Sequence, residues 1–98
     1  MYQDHPNGAW IDKLPVGRGL KIQTQNTLYT VRKLNDGTLT IEGNRKYCPS
    51  PVQCNIHGST FGGSMIRVGY VGRGMFLEVG LPHGVMTTSK INEVEEVI

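Results

Sequence analysis

The sequence predicts an all-β protein, folded as a small single-domain, partly closed β-barrel or a compact sandwich of about six or seven short antiparallel strands. Apolar and polar residues alternate in several short segments that are separated by turn residues. No stretch shows the periodicity of a long amphipathic helix. Eight glycines between Gly58 and Gly84 indicate a tightly curved sheet, in which close backbone approach leaves little room for side chains.

The first strands follow from alternation and from one turn. Leu20, Ile22 and Thr24 alternate with polar residues, which predicts a strand with one buried face. A second strand is predicted over residues 27–34 and a third over 39–42. Asp36-Gly37 between them predicts a hairpin with a type I′ turn, since that turn needs positive φ at both central residues.

The second half of the chain is predicted to alternate between strands and glycine-rich turns. Residues 43–51 are predicted to form a loop, with Arg45-Lys46-Tyr47 at its tip. Further strands are predicted over residues 52–57, 65–71, 75–81 and 85–91, with a strand or a short turn over 92–98. Gly72-Arg73-Gly74 is a candidate hairpin turn between two of them. In the strand 52–57, Cys54 is predicted to point inward and His57 outward.

A chain of 98 residues has room for one domain. Residues 1–17 are rich in Pro, Gly, Asn and Asp and predict an N-terminal arm or loop, with Trp10 as the residue that would pin it to the core. Residues 18–98 predict a single β domain. Gly69 and Gly80 lie inside predicted strands, where glycine marks a bulge or a barrel corner.

A longer pattern links several of these turns. The string GSTFGGSMIRVGYVGRGMFLEVG, followed by VMTTSKI, resembles small uncharacterised bacterial all-β proteins with a GST-x-GGS loop, a G-x-GM-x-LE hairpin and a closing TTS segment. The resemblance covers residues 19–91. It implies a recurring glycine scaffold and no particular activity.

The composition also bears on location. No apolar run approaches the roughly 20 residues of a membrane span, and the N-terminus lacks the pattern of a signal peptide. We therefore expect a cytoplasmic protein without a membrane partner. In a reducing compartment, Cys48 and Cys54 are expected to be free thiols.

The charge is unevenly distributed. From Lys13 to Arg73 the chain has nine Lys or Arg and two acidic residues, whereas the remainder has one lysine and six acidic residues. A basic body with an acidic C-terminal end could meet an anionic ligand, pair with another copy of itself, or simply present solvated faces.

The stretch GSTFGGS, residues 58–64, raises the question of a phosphate site. The lysine of a P-loop is absent, because Ser64 follows Gly63, and neither a helix nor a βαβ unit is predicted nearby. A looser anion site remains possible. It would use the backbone amides, the hydroxyls of Ser59, Thr60 and Ser64, and Arg67 or Arg73.

Catalysis and metal binding find little support. The spacing of Cys48, Cys54 and His57 is a poor zinc motif without a visible fourth ligand. Ser59 or Cys48 with a histidine would be required for a hydrolase, which stays the weakest alternative. We expect no catalytic residue, no metal and no cofactor.

The leading hypothesis is a non-enzymatic binding module that holds a protein partner or self-associates, as a homo-oligomer, through a β surface. Methionines beside glycines would suit an adaptable contact surface. The alternative is a binder of nucleic acid or a small phosphorylated ligand, with basic residues interleaved with tyrosines. The predicted ligand-binding residues are Arg45, Lys46, Ser59, Thr60, Gly62, Gly63, Ser64, Arg67 and Arg73.

Overall fold

The structure is a computed structural model and describes residues 8–62 and 65–97. Over these residues the chain is all-β, with nine strands and a single 3₁₀ turn at Ile11–Lys13. In chain order the strands are β1 (Gly8–Trp10), β2 (Gly19–Thr24), β3 (Leu28–Lys33), β4 (Leu39–Glu42), β5 (Val52–Thr60), β6 (Arg67–Val68), β7 (Tyr70–Gly72), β8 (Phe76–Leu81) and β9 (Gly84–Val97).

Every strand pairing is antiparallel, and the main sheet curls back on itself. Its order is β4-β3-β2-β9-β8-β5-β6, and β4 also pairs with β5 through Leu39 and Cys54, Thr40 and Gln53, and Ile41 and Val52. That pairing joins the two sides of a six-stranded barrel. The short β6 extends from β5 beyond the ring, and β1 with β7 forms a separate two-stranded sheet.

The core lies inside this ring because alternate residues point inward. Leu20, Ile22 and Thr24 of β2 are buried, while Lys21 and Gln23 are exposed, as the alternation predicts. Other strands supply further fully buried side chains, namely Val31, Ile41, Leu77, Val79 and Ile91. The predicted orientations in β5 are also confirmed, since Cys54 and Ile56 are buried and Asn55 is exposed.

The β3–β4 hairpin forms where Asp36-Gly37 predicts it, but the turn type is different. Gly37 has a φ of +87°, whereas no non-glycine residue in the described chain has positive φ, so a type I′ turn is ruled out. The Gly37 N–H donates to Leu34 at 2.9 Å, and the Leu34 N–H donates to Thr38 at 2.8 Å. These bonds fit a three-residue connection in which a type I turn is followed by a left-handed glycine.

The strand predicted over residues 65–71 is wrong, because its residues belong to two different sheets. Gly69 has a φ of +74°, which breaks the extended chain between β6 and β7. β6 pairs with β5, whereas β7 pairs with β1. The predicted hairpin through Gly72-Arg73-Gly74 is therefore also wrong, since β7 is not a partner of β8.

Strand β5 is longer than predicted and takes in the first three residues of GSTFGGS. Gly58, Ser59 and Thr60 pair with β8, after a bulge at His57. Gly58 has a φ of +144°, and a Cβ there would overlap the carbonyl oxygen of Arg67 in β6. Glycine is thus required at residue 58 for β6 to approach β5.

The two ends of the chain add to the barrel. Part of the segment predicted as an arm, residues 8–14, is folded: β1 pairs with β7, and Ala9, Ile11 and Leu14 are buried in the core. Residues 1–7 of that predicted arm lie outside the described residues. The tail over 92–97 continues β9 as a strand and pairs with β2, as expected.

Candidate functional site

The structure divides the predicted ligand-binding residues between opposite ends of β5. Arg45 and Lys46 precede the N-terminal end of β5, whereas Thr60, Gly62 and Arg67 lie at its C-terminal end. At about 3.3 Å per residue, the two ends of this nine-residue strand are roughly 25 Å apart. One continuous basic site through all of these residues is therefore not formed. Gly63 and Ser64 lie outside the described residues.

Ser59 is a structural residue and not an exposed ligand-binding hydroxyl. It is completely buried, and its Oγ donates to the carbonyl oxygen of Tyr70 at 2.6 Å, with the sulfur of Met75 at 3.3 Å. The bulge at His57 and the pairing with β8 turn this side chain inward. Ser59 is therefore unavailable to an anion.

The hydroxyl of Thr60 is also engaged within its own loop. It contacts the carbonyl oxygens of Gly62 and Met65, and it accepts the Gly62 N–H at 3.0 Å. A phosphate cradle needs amides and hydroxyls that point to a common empty position. In the described part of the loop, the Gly62 amide and the Thr60 hydroxyl bond to each other instead.

Arg67 lines the same depression as the loop, but its guanidinium stacks on aromatic rings. It lies 4.5 Å from the ring centroid of Tyr70 and 5.1 Å from that of Trp10. These two rings are themselves 4.8 Å apart, with an interplanar angle of 53°. Trp10 thus pins the N-terminal segment to the folded domain, as predicted, and Arg67 is part of that anchor.

Four large apolar side chains are exposed around β6, and we call them the β6 patch. They are Phe61 at 77%, Met65 at 81%, Ile66 at 36% and Val68 at 74% of full exposure. Phe61, Met65 and Ile66 line an open depression of about 310 Å³ together with Ser59 and the buried Met75, whereas Val68 lies outside that lining. Exposed apolar residues clustered within eight positions are typical of an interaction surface.

At the other end of β5, one asparagine organises residues 43–51, which we call the Tyr47 loop. The Asn44 side-chain oxygen accepts the N–H groups of Lys46 at 2.9 Å and Tyr47 at 3.0 Å. Its amide donates to the Tyr29 hydroxyl at 3.1 Å, and its backbone forms a bridge with the buried Cys48. The loop is therefore fixed to the barrel at both of its sides.

The tip of the Tyr47 loop meets the β8–β9 turn through an aromatic contact. The rings of Tyr47 and His83 are nearly parallel, at an interplanar angle of 10° with centroids 6.5 Å apart. The Lys46 ammonium lies 5.3 Å from the Tyr47 ring centroid. Two exposed rings and a cation are thus held together on one surface.

An open cleft lies next to this contact, and His57 in its lining also contacts Glu78. Its lining includes Gln53, Asn55, His57 and Pro82, the residue before His83. His57 Nδ1 lies 2.8 Å from Glu78 Oε2. The imidazole occupies the space over Gly80, where a Cβ would lie 2.7 Å from His57 Nε2. Gly80 therefore makes room for His57, and the bulge in the pairing of β5 with β8 lies at His57.

The thiols considered for catalysis or metal binding are inside the protein. Cys48 and Cys54 are buried free thiols. Burial, with a smaller contribution from Cys48, raises the pKa of the Cys54 thiol to about 12, so that it is a protonated thiol at neutral pH. Within residues 8–62 and 65–97, no three His, Cys, Asp or Glu side chains group as metal ligands would.

Sequence reasoning found the basic residues but missed the groups that organise them. Asn44 gave no signal beyond its place in a predicted loop, and the contact between Tyr47 and His83 depends on barrel closure. Phe61 is largely exposed. The alternation of apolar residues could not reveal Phe61 and Met65, because neither lies in a strand.

No helix in the described part of the chain has the length and apolar character needed to span a membrane. Comparisons with protein-family models, with curated proteins and with solved structures gave no match to this chain.

Proposed function

We propose that the protein is a non-enzymatic binding module that holds an extended segment of a protein partner at the β6 patch. The observation that carries this proposal is the exposure of Phe61, Met65, Ile66 and Val68 around one edge strand. Large apolar side chains in water are unfavourable for a free monomer unless a partner covers them.

The position of β6 supports an extended ligand. In the described chain β6 ends the strand order of the main sheet, with β5 on one side and no strand on the other. Such an edge can accept a further strand, whose backbone supplies hydrogen bonds and whose alternate side chains supply specificity. The depression beside the β6 patch would receive one of these side chains.

The size of the surface favours a peptide over a second copy of the chain. A standard interface between globular proteins uses roughly 20–30 residues on each side. The β6 patch contains four exposed apolar side chains beside a strand of two residues. That is enough to hold a short segment of a partner, whereas a stable globular dimer needs more.

The charge around the β6 patch favours an acidic segment. Residues 58–73 contain no Asp or Glu, and they include the exposed Arg73 and Arg67, whose guanidinium stacks on Trp10 and Tyr70. One carboxylate approaches from another element, since Asp12 Oδ1 lies 3.8 Å from the Cβ position of Gly69. A Cβ added at Gly74 would lie 3.9 Å from a Phe61 ring carbon, and the exposed Arg73 is the residue that precedes Gly74. The partner segment should therefore alternate apolar and acidic residues, with the apolar side chains toward the depression.

This proposal is tested with a synthetic peptide of alternating valine and glutamate, and with a matched peptide of valine and lysine. Titration calorimetry should detect binding of the first peptide and at least about tenfold weaker binding of the second. The double variant Phe61→Ser, Val68→Thr should lose binding of the first peptide, because the apolar contacts are removed.

The control variant is Val85→Thr, which changes a side chain that is 64% exposed in a different part of the barrel. It should bind the peptide as the parent does. Equal binding by the parent and the double variant would contradict the proposal. So would a parent that sediments as a dimer while the double variant is a monomer, since a second copy would then occupy the patch.

The proposed location is the cytoplasm. Two buried free thiols, Cys48 and Cys54, agree with a reducing compartment, in which disulfides are rare.

A further inference from the structure

We propose that the end of the barrel opposite the β6 patch is a second binding site, which takes a nucleotide. The base would stack on the ring pair of Tyr47 and His83, and the phosphate would lie near Lys46 and Arg45. This inference does not depend on the proposed peptide site, which is at the other end of β5.

The Tyr47 loop is organised before any ligand binds. Asn44 holds the backbone N–H groups of Lys46 and Tyr47 and is itself held by the Tyr29 hydroxyl. Gly43 has a φ of +135°, and a Cβ there would overlap the carbonyl oxygen of Leu28, so the loop begins pressed against β3. A loop fixed in this way loses little conformational entropy on binding.

The ring pair offers a surface for a planar ligand. Tyr47 is 39% exposed, and His83 is exposed in the turn between β8 and β9. Their planes differ by 10°, so that a flat base stacked on one ring is nearly parallel to the other ring as well. Aromatic side chains bind bases of any sequence by such stacking.

The charge and the polar groups near the rings suit a phosphate and a base edge. The Tyr47 loop contains Arg45 and Lys46 and no acidic residue. In the adjoining cleft, Nδ1 of the lining residue His57 lies 2.8 Å from Glu78 Oε2, so the carboxylate is engaged by the imidazole. Gln53 and Asn55 line the same cleft with amide groups, which can donate to and accept from a base.

A phosphorylated peptide would use only the two cations, whereas a nucleotide also uses the rings. The ligand is therefore a nucleotide, either free or within a single strand. A free nucleotide and a nucleotide within a strand offer the same base and phosphate, and the competition experiment below distinguishes them.

The test is fluorescence anisotropy with a labelled oligothymidylate of about 12 nucleotides. The parent should bind at roughly 50 mM salt and weaken toward 200 mM. Tyr47→Ala should weaken binding by about tenfold, because the stacking surface is lost, and Tyr47→Phe should retain it. Lys46→Ala should reduce the slope of affinity against salt by about one.

Competition with unlabelled thymidine monophosphate separates the two sources. Displacement by the mononucleotide means that a single nucleotide is sufficient, and failure to displace means that a strand is required. The matched control is Phe61→Ser at the other end of β5, which should bind the oligonucleotide as the parent does. The proposal is overturned if nothing binds at low salt, if Tyr47→Ala binds as the parent does, or if inorganic phosphate competes as well as the mononucleotide.

Discussion

At the scale of single residues, Ser59 shows how burial changes a role. Its hydroxyl is one of three in GSTFGGS, and in the structure it donates to the Tyr70 carbonyl inside the protein. Tyr70 carries the ring that stacks with Trp10 and Arg67. Ser59 therefore fixes the backbone of Tyr70, whose ring packs against Trp10 of the N-terminal segment.

Ser59→Ala should destabilise the fold, since it leaves the buried Tyr70 carbonyl without this donor. The expected loss in the free energy of unfolding is about 1–2 kcal/mol, measured by urea denaturation. Ser50→Ala in the exposed part of the Tyr47 loop serves as the control and should be nearly neutral. A Ser59→Ala protein as stable as its parent would show that the hydroxyl has no structural role.

Cys54 should make the stability depend on pH in the alkaline range. Burial raises its pKa from 9.0 to about 12, so above pH 9 the folded state keeps a proton that the unfolded state releases. Stability from this group is constant below pH 9 and falls as the pH rises from 9 to 12, by at most about 1.4 kcal/mol per pH unit.

The effect is measured by comparing denaturation of the parent and Cys54→Ala across this range. The variant should be less stable at pH 7, because a buried side chain is shortened, but its stability should fall less steeply above pH 9. Identical slopes for the two proteins would mean that the Cys54 thiol does not remain protonated in the folded state.

At the scale of elements, most strands could be predicted because alternation and turns report local geometry. β2, β3 and β4 follow their apolar patterns closely. The region after Gly58 was predicted less well, since Gly69 divides one apparent strand between two sheets. A single sequence does not state which glycines adopt positive φ, and that choice decides where each strand ends.

Gly58→Ala should separate β6 from β5. The new Cβ would overlap the Arg67 carbonyl, in addition to the strain of positive φ, so we expect a loss of at least about 3 kcal/mol in unfolding free energy. Gly37→Ala is the matched control, because it has positive φ with open space around it, and it should lose only about 1–2 kcal/mol.

Amide hydrogen exchange gives the local readout. In Gly58→Ala the amides of β6 should exchange faster than those of β2, which lies three strands from β5 in either direction around the barrel. If Gly58→Ala and Gly37→Ala lose the same stability, close approach of β6 is not what requires glycine at residue 58.

At the scale of the whole molecule, barrel closure decides which residues form a site. The pairing of β4 with β5 brings the Tyr47 loop beside the β8–β9 turn, so Tyr47 can meet a histidine that is 36 positions away in sequence. The same closure places Arg45 and Lys46 far from Arg67. Charge counts along the chain indicated one basic body. The strand order shows that its basic residues are divided between the two ends of β5.

The central claim is that a partner segment binds at the β6 patch, and the most direct measurement is a chemical-shift map. The ¹⁵N-labelled protein is titrated with the peptide of alternating valine and glutamate. We expect shifts concentrated in residues 59–62 and 65–69, with residues 44–48 and 83–84 unchanged. Shifts confined to the Tyr47 loop and the β8–β9 turn, or no shifts at all, would contradict it.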